Sequence, residues 1–213
     1  MNAWTEAVDA YCERTDPSFW AEPLNAVSNL SFLIAALYGA LLLRRAGTRD
    51  IGLAALSLTA ATVGVGSFLF HTVATRWAAL ADVIPIAIFI ALGFGLVLRR
   101  LVGLGPWVAV AATVLFMAGS GPVGAAFQPL VGSSSGYMPA LLALLLIGGW
   151  LMATGAPNGR FVFAASVVFA VSLAFRMADL PFCEAFPAGT HVGWHLLNGL
   201  VLALVIRAVA VRG

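Results

Sequence analysis

The residues best suited to chemistry are His191 and His195, in the stretch GTHVGWHLLN that runs from Gly189 to Asn198. On a helix this spacing puts both imidazoles on one face, about one turn apart, where they can bind the same cation. Only one other histidine exists, His71, closing the run Gly66-Ser67-Phe68-Leu69-Phe70-His71. Three neutral imidazoles with one open position are a common setting for catalytic zinc, which polarises a carbonyl and lowers the pKa of its water to about 7. Ser67 lies one turn before His71 on the same face, where its hydroxyl could hydrogen-bond that water or a developing oxyanion. Asp82 follows His71 across a short turn, and a carboxylate in an apolar run is a candidate general base or a partner behind the ligands. Each residue also has a plainer use. A membrane histidine can be a hydrogen-bonded core residue, Ser67 a small packing residue beside Gly64 and Gly66, and Asp82 a helix cap. Haem requires one axial ligand on each face of the ring, which His191 and His195 cannot both supply to one iron.

These side chains must be positioned by membrane helices. Of the 213 residues 62% are hydrophobic and 9% charged, against roughly 45–50% and 25% in soluble domains. The first twenty residues carry Glu6, Asp9, Glu13 and Asp16 and lack the short apolar core and cleavage site of a leader, so they are expected to form an extramembrane segment. A formal charge of +2 on scattered arginines argues against nucleic acid as a partner, and no protein partner is evident.

Apolar runs of about 17–25 residues mark spans. They fall near Leu24–Leu43, Ile51–Phe70, Leu80–Leu98, Pro106–Ala118, Met138–Met152, Phe161–Arg176 and Thr190–Ile206. The expected fold is an all-α, seven-transmembrane-helix bundle forming one domain over residues 1–213, with the termini on opposite sides. Arg44, Arg45, Arg49, Arg99, Arg100, Arg160, Arg207 and Arg212 all follow odd-numbered spans. Arginine-rich short loops mark the cytoplasmic face, so the C-terminus is expected inside and the N-terminus outside. His71, His191, His195, Glu22, the uncharged loop Gly119–Tyr137 and the loop Asp179–Glu184 then share the outer face. Cys12 and Cys183 fall there too, where an oxidising compartment permits a disulfide or leaves two free thiols. Arg176 and Asp179 are expected to form an ion pair, and Trp20, Trp77 and Trp194 an interfacial belt.

The combination Glu22-Pro-Leu-Asn25-Ala-Val-Ser28-Asn29, then Ser67-x-x-x-His71 with Asp82, then His191-x-x-x-His195, resembles the alkaline ceramidase family. This family lies within a wider superfamily of seven-span membrane hydrolases and receptors that includes the adiponectin-type receptors. The resemblance runs from Tyr11 to Arg207. It implies that His71, His191 and His195 hold zinc while Ser67 and Asp82 act beside the water that attacks an amide carbonyl. The implied substrate is a ceramide-like membrane lipid and the products a fatty acid and a sphingoid base. It also implies calcium held by the outer acidic segment, for which Asp9, Glu13, Asp16 and Glu22 are the candidates; hard oxygen ligands suit that ion. The pattern departs from the family at Ala10, where an aspartate is expected, and at Thr15, where an asparagine is. A disulfide would hold this segment over the zinc site. Hydrolysis of another lipid amide or ester, a non-enzymatic lipid receptor and a haem-binding electron carrier are the other classes. The family look and an Ala- and Arg-rich chain without lysine point to a bacterial-type cytoplasmic membrane, with the active site near the outer leaflet.

Overall fold

A computed structural model describes residues 3–47 and 49–210. Its helices are α1 (Pro23–Ser28), α2 (Leu30–Ala46), α3 (Ile51–Val73), α4 (Arg76–Val97), α5 (Pro106–Val131), α6 (Met138–Ala153), α7 (Gly159–Ala178) and α8 (His191–Val209). No strand occurs among the described residues beyond an isolated bridge between Ala7 and Thr75. Among the described residues six helical runs are long and apolar enough to cross a membrane. They leave Ile34, Leu58, Leu115 and Leu146 more than two-thirds exposed, an apolar outer surface that suits lipid as the solvent. The chain is a multi-pass membrane protein.

The expected loop Gly119–Tyr137 is largely helix, because α5 continues through Gly119-Ser120-Gly121-Pro122 to Val131. In hydrocarbon the main-chain N–H and C=O groups have no water to turn to, so a helix that pairs them internally persists through Gly and Pro that would end it in water. The turn comes later, at the 3-10 segment Gly132–Tyr137. It folds back on α5, and a Cβ on Gly124 would lie 3.1 Å from the Ser135 carbonyl.

Packing is closest where side chains are small. A Cβ on Gly66 of α3 would collide with the Ala81 carbonyl of α4 and lie 3.2 Å from Asp82 N. That approach brings Ser67 and Asp82 together. The core joins Leu56 and Val63 of α3, Leu151 of α6, Phe169 of α7 and Ile206 of α8.

The described arginines expected on one face lie at helix ends remote from the histidines, while Arg212 lies outside the described residues. Arg44 and Arg45 are in the last turn of α2 and Arg99 and Arg100 follow α4. Arg160 and Arg207 both sit over the Phe161 ring. Arg100 makes two 2.7 Å contacts to Asp50 and a 2.8 Å bond to the Val209 carbonyl. Asp50 also caps α3 by accepting from Leu53 N at 2.9 Å.

The Arg100 guanidinium holds the Asp50 carboxyl below its ordinary value, against partial burial. A depressed folded-state pKa contributes stability above the unfolded value, and that contribution is lost as pH falls through the folded one. Asn keeps the cap, so Asp50→Asn isolates the ion pair. Its deficit should be about 1 kcal/mol at pH 6 and close as pH drops below about 4. Thermal midpoints in detergent at pH 6 and pH 3 check this; an equal deficit at both rules it out.

Candidate metal centre

His71 lies in the last turn of α3 and His191 and His195 in the first two turns of α8. All three are buried, each about 1% exposed, and their potential ligand atoms lie within 4.8 Å of one another. Among the described residues no other group of histidine, cysteine or carboxylate side chains is gathered this way. Asp82 and Glu22 stand outside it.

Hydrogen bonds settle which ring nitrogens point inward. His71 Nδ1 lies 2.6 Å from Glu22 Oε2. A carboxylate only accepts, so Nδ1 carries the proton, and in the neutral ring Nε2 carries a lone pair. His195 Nδ1 lies 2.7 Å from Ser28 Oγ, whose hydroxyl proton goes to the Asn25 carbonyl at 2.8 Å. Ser28 therefore accepts from Nδ1, and His195 Nε2 also carries a lone pair. In the neutral rings the two Nε2 atoms, 3.1 Å apart, both present lone pairs. His191 adds a buried Nδ1 without a hydrogen-bond partner, an omission that costs about 1–3 kcal/mol. Lone pairs facing one another in a buried site fit a cation. Metal–nitrogen bonds of about 2.0–2.1 Å in a tetrahedral arrangement put two nitrogens roughly 3.4 Å apart.

The expected Arg176–Asp179 ion pair does not form. Asp179 Oδ1 instead accepts from the main-chain N–H groups of Thr190 (2.7 Å) and His191 (2.9 Å), and Oδ2 from Cys12 N (3.0 Å). The first N–H groups of a helix lack internal acceptors and carry positive partial charge. The start of α8 thus claims the carboxylate, fixing His191. Arg176 turns the other way, donating to Ser133 Oγ at 3.1 Å. Its guanidinium lies 5.6 Å from the Tyr137 ring centroid and 5.7 Å from that of Trp194, where cation–π attraction takes the place of the ion pair. Trp194 is correspondingly not interfacial: it is buried between His191, Tyr137 and Phe169, whereas Trp20 and Trp77 are exposed.

Cys12 and Cys183 form a disulfide, tying the N-terminal segment to the loop before α8. The segment is also clasped to the turn after α3, with Val8 N donating to the Ala74 carbonyl and Arg76 N to that of Glu6. These ties lay Tyr11 on His191, ring centroids 3.8 Å apart. Burial raises the Tyr11 phenol above its ordinary pKa. In a random chain this 171-residue crosslink would contribute about 5 kcal/mol. Inserted helices keep much of that loop ordered, so we expect roughly 1–3 kcal/mol. Reduction, or a Cys12→Ser, Cys183→Ser double variant, should lower the thermal midpoint by a few degrees and open the Arg14 bond to trypsin while helical circular dichroism persists. An unchanged midpoint and continued protection at Arg14 would contradict this.

The four carboxylates expected to hold calcium are not brought together. Asp9 is exposed. Asp16 is exposed as well, and hydrogen bonds from the Ser18 hydroxyl and then from Ser18 N (2.7 Å) keep its carboxyl low. Glu13 accepts from Leu24 N (2.6 Å) and Asn25 N (2.8 Å) at the start of α1, though burial outweighs these bonds and raises its carboxyl. Burial pushes Glu22 upward, but hydrogen bonds from His71, Arg14 and Asn25 prevail and hold it low. Glu22 is committed to His71 and Arg14. Carboxylates are ligand types that calcium takes, but these four do not converge on one position.

Ser67 and Asp82 meet beside the histidines: Ser67 is a hydrogen-bonding neighbour of the Asp82 carboxyl, and Asp82 Oδ1 is buried without a partner. Below the histidines an apolar cavity is lined by Phe32, Phe89, Tyr137, Trp194, Val97 and Val205. From Trp194 to Val205 it follows about 16 Å of α8. The roles of Ser28, Arg14 and Tyr137 were not read from the sequence. Ser28 stood in the quoted motif, but nothing in its type marked it as the partner of a histidine far along the chain.

A family model described as Ceramidase matches residues 8–212. No curated protein matches the chain.

Proposed function

The chain belongs to the ceramidase family, and from that premise we propose that it hydrolyses the amide of ceramide-like N-acyl sphingoid lipids, releasing a fatty acid and the free base. The metal is zinc, on His71, His191 and His195. The observation that carries this reading is the gathering of three buried imidazoles, with the Nε2 atoms of His71 and His195 3.1 Å apart, above an apolar cavity. Such an ion supplies Lewis acidity to the amide carbonyl and to water. The chain's own residues do the rest. Asp82 accepts the proton of the attacking water and returns it to the nitrogen as the C–N bond breaks. Ser67 donates to the Asp82 carboxylate at rest, and once Asp82 has taken the proton the same hydroxyl turns to the oxygen where charge develops. Glu22 and Ser28 keep the two Nδ1–H groups engaged, so that His71 and His195 stay in the ligating tautomer. The cavity between Trp194 and Val205 takes the acyl chain.

We read the 48-residue run Pro106–Ala153 as two passes. At 1.5 Å per residue it is about 72 Å long, more than twice the hydrocarbon thickness of about 30 Å. Seven passes follow, in one domain, with the arginine-rich end cytoplasmic and the histidines near the outer leaflet.

The test is fatty-acid release from a short-chain ceramide in detergent, before and after stripping metal with a chelator and after restoring zinc. Release that is lost on stripping and returns with zinc is expected. No release from zinc-loaded, folded protein would move the reading to another lipid amide or ester, or to a receptor.

A further inference from the structure

Beside the histidine cluster lies an oxygen cage, and an arginine fills it. Arg14 Nε donates to Glu22 Oε1 at 2.6 Å, Nη1 to the carbonyls of Asp16 (3.2 Å) and Ser18 (3.4 Å), and Nη2 to the carbonyl of His71 (3.1 Å). The side chain is only 6% exposed. One carboxylate and three main-chain carbonyls are the ligand types that a hard cation such as calcium takes. The His71 carbonyl belongs to the last turn of α3, where carbonyls lack helical partners and carry negative partial charge. A positive charge is needed at this point, and the chain supplies it covalently.

The position matters because Glu22 has two tasks. Its Oε1 is bound by Arg14 and its Oε2 by His71 Nδ1. Arg14 grips the same histidine from behind through its carbonyl. The guanidinium thus fixes both ends of the arm that presents His71 Nε2 to the cluster. A planar fork with five donors suits this divergent set of acceptors better than an ammonium does.

We propose that Arg14 is a resident cation and a positioning residue: it takes the place of a free hard cation next to the histidine cluster, and makes zinc retention independent of calcium. The proposal rests on the reading that the three histidines hold zinc.

The experiment measures zinc retention against a competing chelator in wild type, Arg14→Ala and Arg14→Lys, each with millimolar calcium and with a calcium-selective chelator. Wild type should hold zinc equally under both conditions. Arg14→Ala should lose it about 10–100-fold more readily, the usual effect of disturbing a ligand's partner. Calcium entering the vacated oxygens should recover at least several-fold of that loss, and Arg14→Lys should fall between. Calcium dependence in wild type overturns the proposal whether or not the variants fold. So does an Arg14→Ala protein that retains zinc like wild type, or one whose loss calcium leaves unchanged. Wild type that binds no zinc at all marks failure of the underlying metal reading instead.

Discussion

His195→Ala is expected to remove zinc and hydrolysis together while leaving the helical bundle intact. Its Nε2 is one of the two facing lone pairs, and its Nδ1 is held by Ser28. Alanine deletes both contacts without disturbing a helical backbone. Altering a partner behind a ligand costs 10–100-fold in metal affinity, so loss of the ligand itself should exceed about 100-fold. Turnover should fall by more than about 10³-fold, because carbonyl polarisation and water activation disappear at once. The apo protein gives an independent readout. Zinc that binds the folded cluster and not the unfolded chain should raise the wild-type thermal midpoint by mass action. His195→Ala should show no such rise, and its apo form should keep wild-type helical circular dichroism. A zinc-dependent midpoint shift and wild-type turnover in the variant would refute the assignment of His195.

How far the sequence led can be judged residue by residue. The spacing of His191 and His195 survives translation into a helix because that periodicity is local. His71 joined them through topology, by counting spans, and the structure brings all three together. The same sidedness permitted a Cys12–Cys183 bond without requiring it, and the structure makes it. What stayed hidden depends on competition between partners. Arg176 and Asp179 are natural neighbours on a helix, but the N–H groups opening α8 hold the carboxylate more firmly than an adjacent guanidinium would. Trp194 sits near a span end, as an interfacial tryptophan would, yet on the face that packs beside His191. The family resemblance implies calcium on the acidic segment, whereas in the structure Glu22 pairs with Arg14 of the same stretch, a pairing that sequence order alone does not reveal. The persistence of α5 through Gly119–Val131 was obscured because glycine and proline were weighed as they act in water, whereas the membrane penalises an open backbone more than an imperfect helix.

Asp82→Asn should leave zinc in place and abolish most of the turnover, the converse of a ligand deletion. Asp82 stands outside the group of side chains able to share one ion, so its loss should not release the metal. Its carboxyl is buried with Oδ1 unpartnered and Ser67 alongside, held there because Gly66 lets α3 and α4 touch. Asparagine has nearly the same shape and can keep a hydrogen bond with Ser67, but it cannot accept and return a proton. The expected cost is about 10²–10⁴-fold in kcat with KM little changed, the range for removing a positioned general base. Zinc stoichiometry and the zinc-dependent midpoint shift should equal those of wild type. A rate within a few-fold of wild type would show that Asp82 moves no proton in the limiting step. Loss of zinc along with activity would instead make it a structural support of the cluster. Ser67→Ala, which removes the hydroxyl beside this carboxylate while leaving the carboxylate itself, should fall between wild type and Asp82→Asn, since the base remains but its orientation loosens.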